Sequence, residues 1–268
     1  MAHLYLDSKC NSRSALIIWT NDELRFYEDM MLLRGALTRL GIRVYTARLN
    51  VHGNCDPVLR RFLEWTDEHD GRGNQLVLAY FGHAQVWNGR LMGAGINLTS
   101  LQEYLRDNCS ADALSILGTC FSGAPPWMMM PANLDIGDTG IVETLAVCNG
   151  RTLAYCDDDP APWLQRLVWQ LDGLRPGDAM TVEQIAGAIR RPSSVGRLQI
   201  SFTGNQGFYR KEHGRESMVL ENLTLRQEDL YRLQDAAVLK FLENVAHWLE
   251  LRKSQAQTFS MGQHYGWR

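Results

Sequence analysis

The chain has 268 residues, 45% of them apolar and 21% charged, which is enough to bury one substantial core and a small appendage. A net charge of -3 supplies no overall basic field, so nucleic acid is not an expected partner. No apolar run is long enough to span a bilayer, and the first residues lack the apolar core of a signal peptide, so the expectation is a soluble cytoplasmic protein with no membrane partner.

The cysteines at 10, 55, 109, 120, 148 and 156 form no C-x-x-C pair and stand at no metal-ligand spacing with the histidines, so free thiols and no metal site are expected. Ala15 to Trp19 is a short apolar run that reads as a buried strand. From Phe26 to Leu40 apolar residues recur at helical spacing, with Gly41 as the stop. Arg43 to Leu49 alternates like a strand, Asp56-Pro57 opens a second helix, and Gly71 and Gly73 end it. Gln75 to Phe81 is the next buried strand and runs straight into Gly82-His83-Ala84. Leu98 to Arg106 reads as a helix capped by Thr99 or Ser100, and Ala113 to Leu117 as a strand that runs into Gly118-Thr-Cys120.

In the second half, Gly140 to Val147 reads as helical, Arg151 to Cys156 as a strand and Pro162 to Leu171 as a helix. A further helix runs to Ile189 with Thr181 as its cap, and Arg197 to Phe202 reads as an edge strand. Past Glu221 an apolar stripe from Leu230 to Leu249 marks a long amphipathic helix. The expected division is an N-terminal extension over 1-13, a main domain over 14-225, and a C-terminal helix and tail over 226-268.

Strands separated by helices predict an α/β fold with a mostly parallel sheet covered on both faces. Ligands of such sheets bind beyond the carboxyl ends of the strands, where His83 and Cys120 both fall. A cysteine nucleophile needs a base to form thiolate and donors to hold an oxyanion. His83 is the candidate base, and the backbone N–H groups of Ala84 and Cys120 are the candidate oxyanion donors. Taken singly, each reads more simply as a small core thiol and a satisfied loop histidine; it is their pairing at two strand ends that favours chemistry.

These segments resemble a known family. Tyr80-Phe-Gly-His-Ala84 is similar to the apolar run followed by Ser-Gly-His-Gly of the caspase and metacaspase superfamily, and Leu117-Gly-Thr-Cys-Phe-Ser-Gly123 to its Asp-x-Cys-x-Ser-Gly element. The nearest motifs are those of fungal caspase-like domains, where Asp-Cys-Cys-Tyr-Ala-Gly is followed by Glu-Leu-Leu-Ala-Ala-Cys-Gly-Arg; here the later segment is Glu143-Thr-Leu-Ala-Val-Cys148-Asn-Gly-Arg151. The resemblance covers roughly Ser14 to Leu225. It implies a caspase-like three-layer sandwich with a sheet of about six strands and a cysteine endopeptidase using a His83–Cys120 dyad on protein or peptide substrates, in regulated cell death or proteolytic signalling.

The pattern departs from the family at three positions: Ala84 stands for Gly, Gly118 for the Asp or Gln that lines the specificity pocket, and Phe81 for Ser. His83 also stands 37 residues before Cys120, against about 50 in caspases. By the same resemblance Asp29, with Glu28 beside it, falls where metacaspases place an acid that receives the Arg or Lys before the scissile bond. The plainer reading of Asp29 is a solvated acid in a first helical turn. Asp157-Asp-Asp159 adds negative potential at the same rim, or makes a Ca²⁺ site with few spaced ligands; a hydrated acidic turn is the preferred reading, and no cofactor is expected.

Three functions compete: the endopeptidase, a catalytically silent caspase-like module that binds partners, and a nucleotide-binding α/β domain. The last needs a phosphate-cradling loop after the first strand, and Thr20-Asn-Asp-Glu23 is too acidic for that. Oligomeric state stays open.

Overall fold

The structure, a computed structural model, describes residues 12–119, 140–147, 162–190, 208–211 and 217–223. The element order is β1 (Arg13–Thr20), α1 (Leu24–Arg39), β2 (Arg43–Leu49), α2 (Asp56–His69), β3 (Gln75–Phe81), β4 (Gln85–Trp87), β5 (Arg90–Gly93), β6 (Ile96–Asn97), α3 (Leu98–Asn108), β7 (Asp112–Gly118), β8 (Val142–Ala146), α4 (Pro162–Asp172), β9 (Ala179–Thr181), α5 (Val182–Arg190), β10 (Phe208–Lys211) and β11 (Val219–Glu221).

Six strands form the main sheet in the order β10-β8-β7-β3-β1-β2. Five are parallel and β10 closes one edge antiparallel to β8. The class expected from the sequence is the class observed. Alternation along the strands divides the core in two. Ala15, Ile17, Val77, Ala79 and Phe81 face α1, α4 and α5, whereas Leu16, Ile18, Leu76, Leu78 and Tyr80 face α2 and α3. The result is a sheet sandwiched between two helical layers, as both-face burial of all seven β3 residues requires.

At the amino-terminal end of the sheet Arg13 is buried. Its guanidinium donates to Gln75 Oε1 at 3.2 Å, to the Leu40 carbonyl at 3.2 Å and to the Glu221 carbonyl at 2.6 Å. Gln75 Nε2 donates to the Val219 carbonyl at 2.8 Å, so β11 is stitched to the start of β1 and β3.

Several expectations need correction. Gly140 to Val147 is not helical: Val142–Ala146 is β8, an interior strand with every residue buried. Its one charged residue, Glu143, is fully buried and accepts from Ser217 Oγ at 2.5 Å and Met218 N at 2.9 Å. That satisfied carboxylate lets an acid sit inside a sheet, and the run is too short for periodicity to separate strand from helix. The cap of α3 is Asn97, whose side chain accepts from Ser100 N at 3.0 Å; Thr99 Oγ1 instead accepts from Leu91 N at 2.8 Å. Thr181 does cap α5, its Oγ1 accepting from Gln184 N at 3.1 Å, but it also ends β9, which pairs with β11.

A three-stranded antiparallel sheet, β4-β5-β6, follows His83 and was not foreseen. Its first turn is Asn88-Gly89, both in the left-handed region at φ 48 and 73, the pairing that two-residue hairpins favour. The expected strands Arg151–Cys156 and Arg197–Phe202, and the long helix past Leu230, lie outside the described residues; among those described, the main sheet is edged by β10 and β2.

Candidate active site

Strand register sets where the candidate segments emerge. Trp19 of β1 pairs with Phe81 of β3, and Phe81 pairs with Gly118 of β7. Three parallel strands therefore end level, and the segments leaving them share one rim: Asn21 to Glu23 after β1, Gly82 to Ala84 after β3, and Thr119 after β7. Cys120 is next in the chain after Thr119 and, with Asp157, lies outside the described residues.

The His83 side chain is 54% exposed. Its Nε2 lies 2.5 Å from Glu23 Oε1 and 3.7 Å from Asp22 Oδ2. An ionised carboxylate only accepts, so Nε2 carries the proton in this contact and, in the neutral ring, Nδ1 carries the lone pair. The other Glu23 oxygen meets Arg25 Nε at 2.6 Å. Phe26, in the first turn of α1, sets its ring edge-on to the imidazole with centroids 5.2 Å apart, and the Arg25 guanidinium lies over that same Phe26 ring at 4.9 Å.

The backbone of His83 is held from below. Tyr80, almost completely buried in the α2 and α3 face, donates its hydroxyl to the His83 carbonyl at 2.9 Å. Burial, and then the Asp22 carboxylate, push the phenol well above its ordinary range, so it stays a donor. A Cβ at Gly82 would stand 2.6 Å from Thr20 Cγ2 and 2.7 Å from Tyr80 Oη, so this turn fits only without a side chain. Ala84 is not among the residues of positive φ; its backbone accepts a Cβ where the family pattern has Gly.

Phe81 and Gly118, which read in the sequence as two separate departures, are one packing event. Phe81 is buried, and a Cβ on Gly118 would fall against Cδ1 of its ring and 2.6 Å from Cε1. The ring takes the space that a side chain at 118 needs.

Asp29 is the sixth residue of α1 and only 7% exposed, while Glu28 beside it is exposed. The reading of Asp29 as a solvated first-turn acid is therefore overturned. Three residues after Phe26, it lies on the face of α1 that Phe26 presents to His83. Asp22 and Glu23 are the site residues that the sequence reading passed over, having noted them only as too acidic for phosphate. Among the described residues, no group of three or more His, Cys, Asp or Glu is arranged to hold a metal ion, and no helix is long and apolar enough to cross a membrane.

No protein-family model matches the chain, and no curated protein matches it. Solved structures do. Protein GSU0716 from Geobacter sulfurreducens is 13% identical over 80% of this chain and 100% of that one, with a TM-score of 0.53. The Drosophila initiator caspase Dronc is 10% identical over 74% of this chain and 78% of that one, with a TM-score of 0.47. The Geobacter protein shares the fold.

Proposed function

We propose that this chain is a caspase-like cysteine endopeptidase with Cys120 as nucleophile and His83 as general base. One observation carries the reading: neighbouring parallel strands β3 and β7 end level at Phe81 and Gly118, the first leading into His83 and the second, two residues on in sequence, into Cys120. In the reaction the Cys120 thiol gives its proton to His83 Nδ1, and the thiolate attacks the peptide carbonyl carbon to form a C–S bond. The backbone N–H groups of Ala84 and Cys120 hold the oxyanion. The imidazolium then protonates the leaving amine as the C–N bond breaks, and water hydrolyses the thioester, releasing the acid and the thiol. Asp29, Gly118 and Asp157 form the substrate pocket, and the buried carboxylate of Asp29 selects Arg or Lys before the scissile bond.

A peptide-library cleavage assay on wild type, Cys120→Ala and His83→Ala, with and without Ca²⁺, tests this. Turnover lost in both variants, with Cys120 alkylating fastest among the cysteines, supports the reading; equal labelling and unaltered turnover sink it. The silent, partner-binding alternative draws on the Phe81 ring filling the place of a pocket side chain at 118. It predicts no Cys120-dependent cleavage from any library peptide.

A further inference from the structure

We infer that Glu23 is a positioning residue for His83, making the machinery a Cys120–His83–Glu23 arrangement in which a side-chain carboxylate, from the turn between β1 and α1, fixes the imidazole through Nε2. This deepens the peptidase reading and rests on it for the role of His83 as base. Glu23 occupies the N-cap position of α1, where a side chain ordinarily accepts from the first free backbone N–H groups. It makes no such bond. One of its oxygens is on His83 Nε2 at 2.5 Å and the other on Arg25 Nε at 2.6 Å. Both oxygens are thus engaged, and the carboxylate is held at its far side by a guanidinium that itself stacks over Phe26.

His83 is gripped on three sides: Glu23 at the ring nitrogen and Phe26 at the ring edge, both from the start of α1, and Tyr80 of the strand that leads into it at the carbonyl. Among the described residues Nδ1 has no hydrogen-bond partner. A carboxylate on one imidazole nitrogen fixes both the tautomer and the ring plane and leaves the other nitrogen basic, the logic by which an acid supports a histidine base in acyl transfer. The proton relay then has a direction: Nε2–H stays on the Glu23 side, and Nδ1 alternately takes the Cys120 proton and returns it to the leaving amine. Glu23 touches no reacting atom and needs no proton transfer of its own.

The test uses the full chain, wild type and with Glu23→Ala and Glu23→Gln; Glu23 is partly exposed, and thermal unfolding followed in parallel verifies that both variants keep the fold. Ring ¹⁵N shifts of His83, assigned among the seven histidines by His83→Ala, report the tautomer directly. The expected result is an Nε2–H ring in wild type and loss of that preference in Glu23→Ala. In the same variant kcat on a peptide substrate falls at least about 10-fold with KM within about 2-fold, because only the reacting geometry is touched. Glu23→Gln keeps an acceptor oxygen and recovers part of kcat. An unchanged or raised kcat in Glu23→Ala, or an unaltered ring signature, overturns the inference. If wild type and Cys120→Ala both fail to cleave, the peptidase reading fails separately, and the ring shifts alone decide whether Glu23 positions His83.

Discussion

The Phe81 ring and the missing side chain of Gly118 are complementary: paired across β3 and β7, one fills the space that the other leaves. A side chain at 118 overpacks the native core and should cost about 1–3 kcal/mol for Gly118→Ala. Truncating the ring, Phe81→Ala, should cost about 3–5 kcal/mol through lost burial and a cavity. The two costs should not add, because the cavity admits the new methyl group. Urea unfolding of both single variants and the double variant checks this; an equal cost for Gly118→Ala in both backgrounds would show that the ring is not what excludes a side chain.

Cys109, buried at the end of α3, should be silent towards iodoacetamide in the native state at neutral pH and react on unfolding. Its thiol is pushed up to about 12, from an ordinary 9.0, by burial and then by Asp70 and Asp67. The raised value favours the protonated thiol in the native state, so the unfolded chain loses its proton first. Stability from this group is present below about pH 9 and is lost as pH rises towards the native value. Unfolding midpoints measured across that range should fall less steeply in Cys109→Ala than in wild type.

His69 gives the opposite limb. Its Nε2 lies 3.1 Å from Tyr45 Oη, and its pKa is lowered from 6.5 chiefly by burial, with Glu68 opposing and Arg43 and Arg61 adding to the fall. Below its unfolded value the unfolded chain takes up a proton that the native ring resists. Stability is therefore full above about pH 6.5 and is lost as pH drops through the native value. Denaturation at a series of acidic pH values should show a shallower loss in His69→Gln.

Between Asp107 and Gly150 the chain has no Lys or Arg. On the proposed reading a peptidase selecting basic residues cannot cut itself there, so the active species should be one uncut chain. Intact-mass spectrometry of protein that is turning over substrate checks it. Two fragments breaking within 124–139 would refute the uncut chain, and a cut after Asp135 or Asp138 that Cys120→Ala prevents would also refute the basic pocket.

Much of the sheet was legible, for two different reasons: β3 is buried on both faces and reads as one apolar run from Gln75 to Phe81, whereas β2 is a half-exposed edge strand whose alternation marks Arg43 to Leu49. Short elements were not. The strands of the small sheet are three, four and two residues long, below the reach of any periodicity, and only Asn88-Gly89 marked the hairpin. β8 was misread because Glu143 breaks its apolar run, and its partners Ser217 and Met218 lie over 70 residues away in the chain. His83 stood out as a strand-end residue, whereas the role of Glu23 depends on a contact between residues 60 apart. No local pattern carries that information. The same holds for Phe81 and Gly118, whose relation exists only in the register between two strands.

The Arg13 guanidinium reaches a carbonyl 208 residues further along, at Glu221. This sets an order of events for a chain emerging from the ribosome. β1 is synthesised first, yet its opening residue carries a charge that is buried in the finished fold and meets this partner only when the segment around β11 has been made. Closing so large a loop adds little entropy per extra residue but delays the contact until the intervening elements exist. The parallel strands through β7 have their own pairings in hand well before then. A nascent chain halted short of Ser217 should accordingly hold a partly assembled sheet whose amino-terminal end is still open to water, with β11 docking over Arg13 and Gln75 only once it has been made.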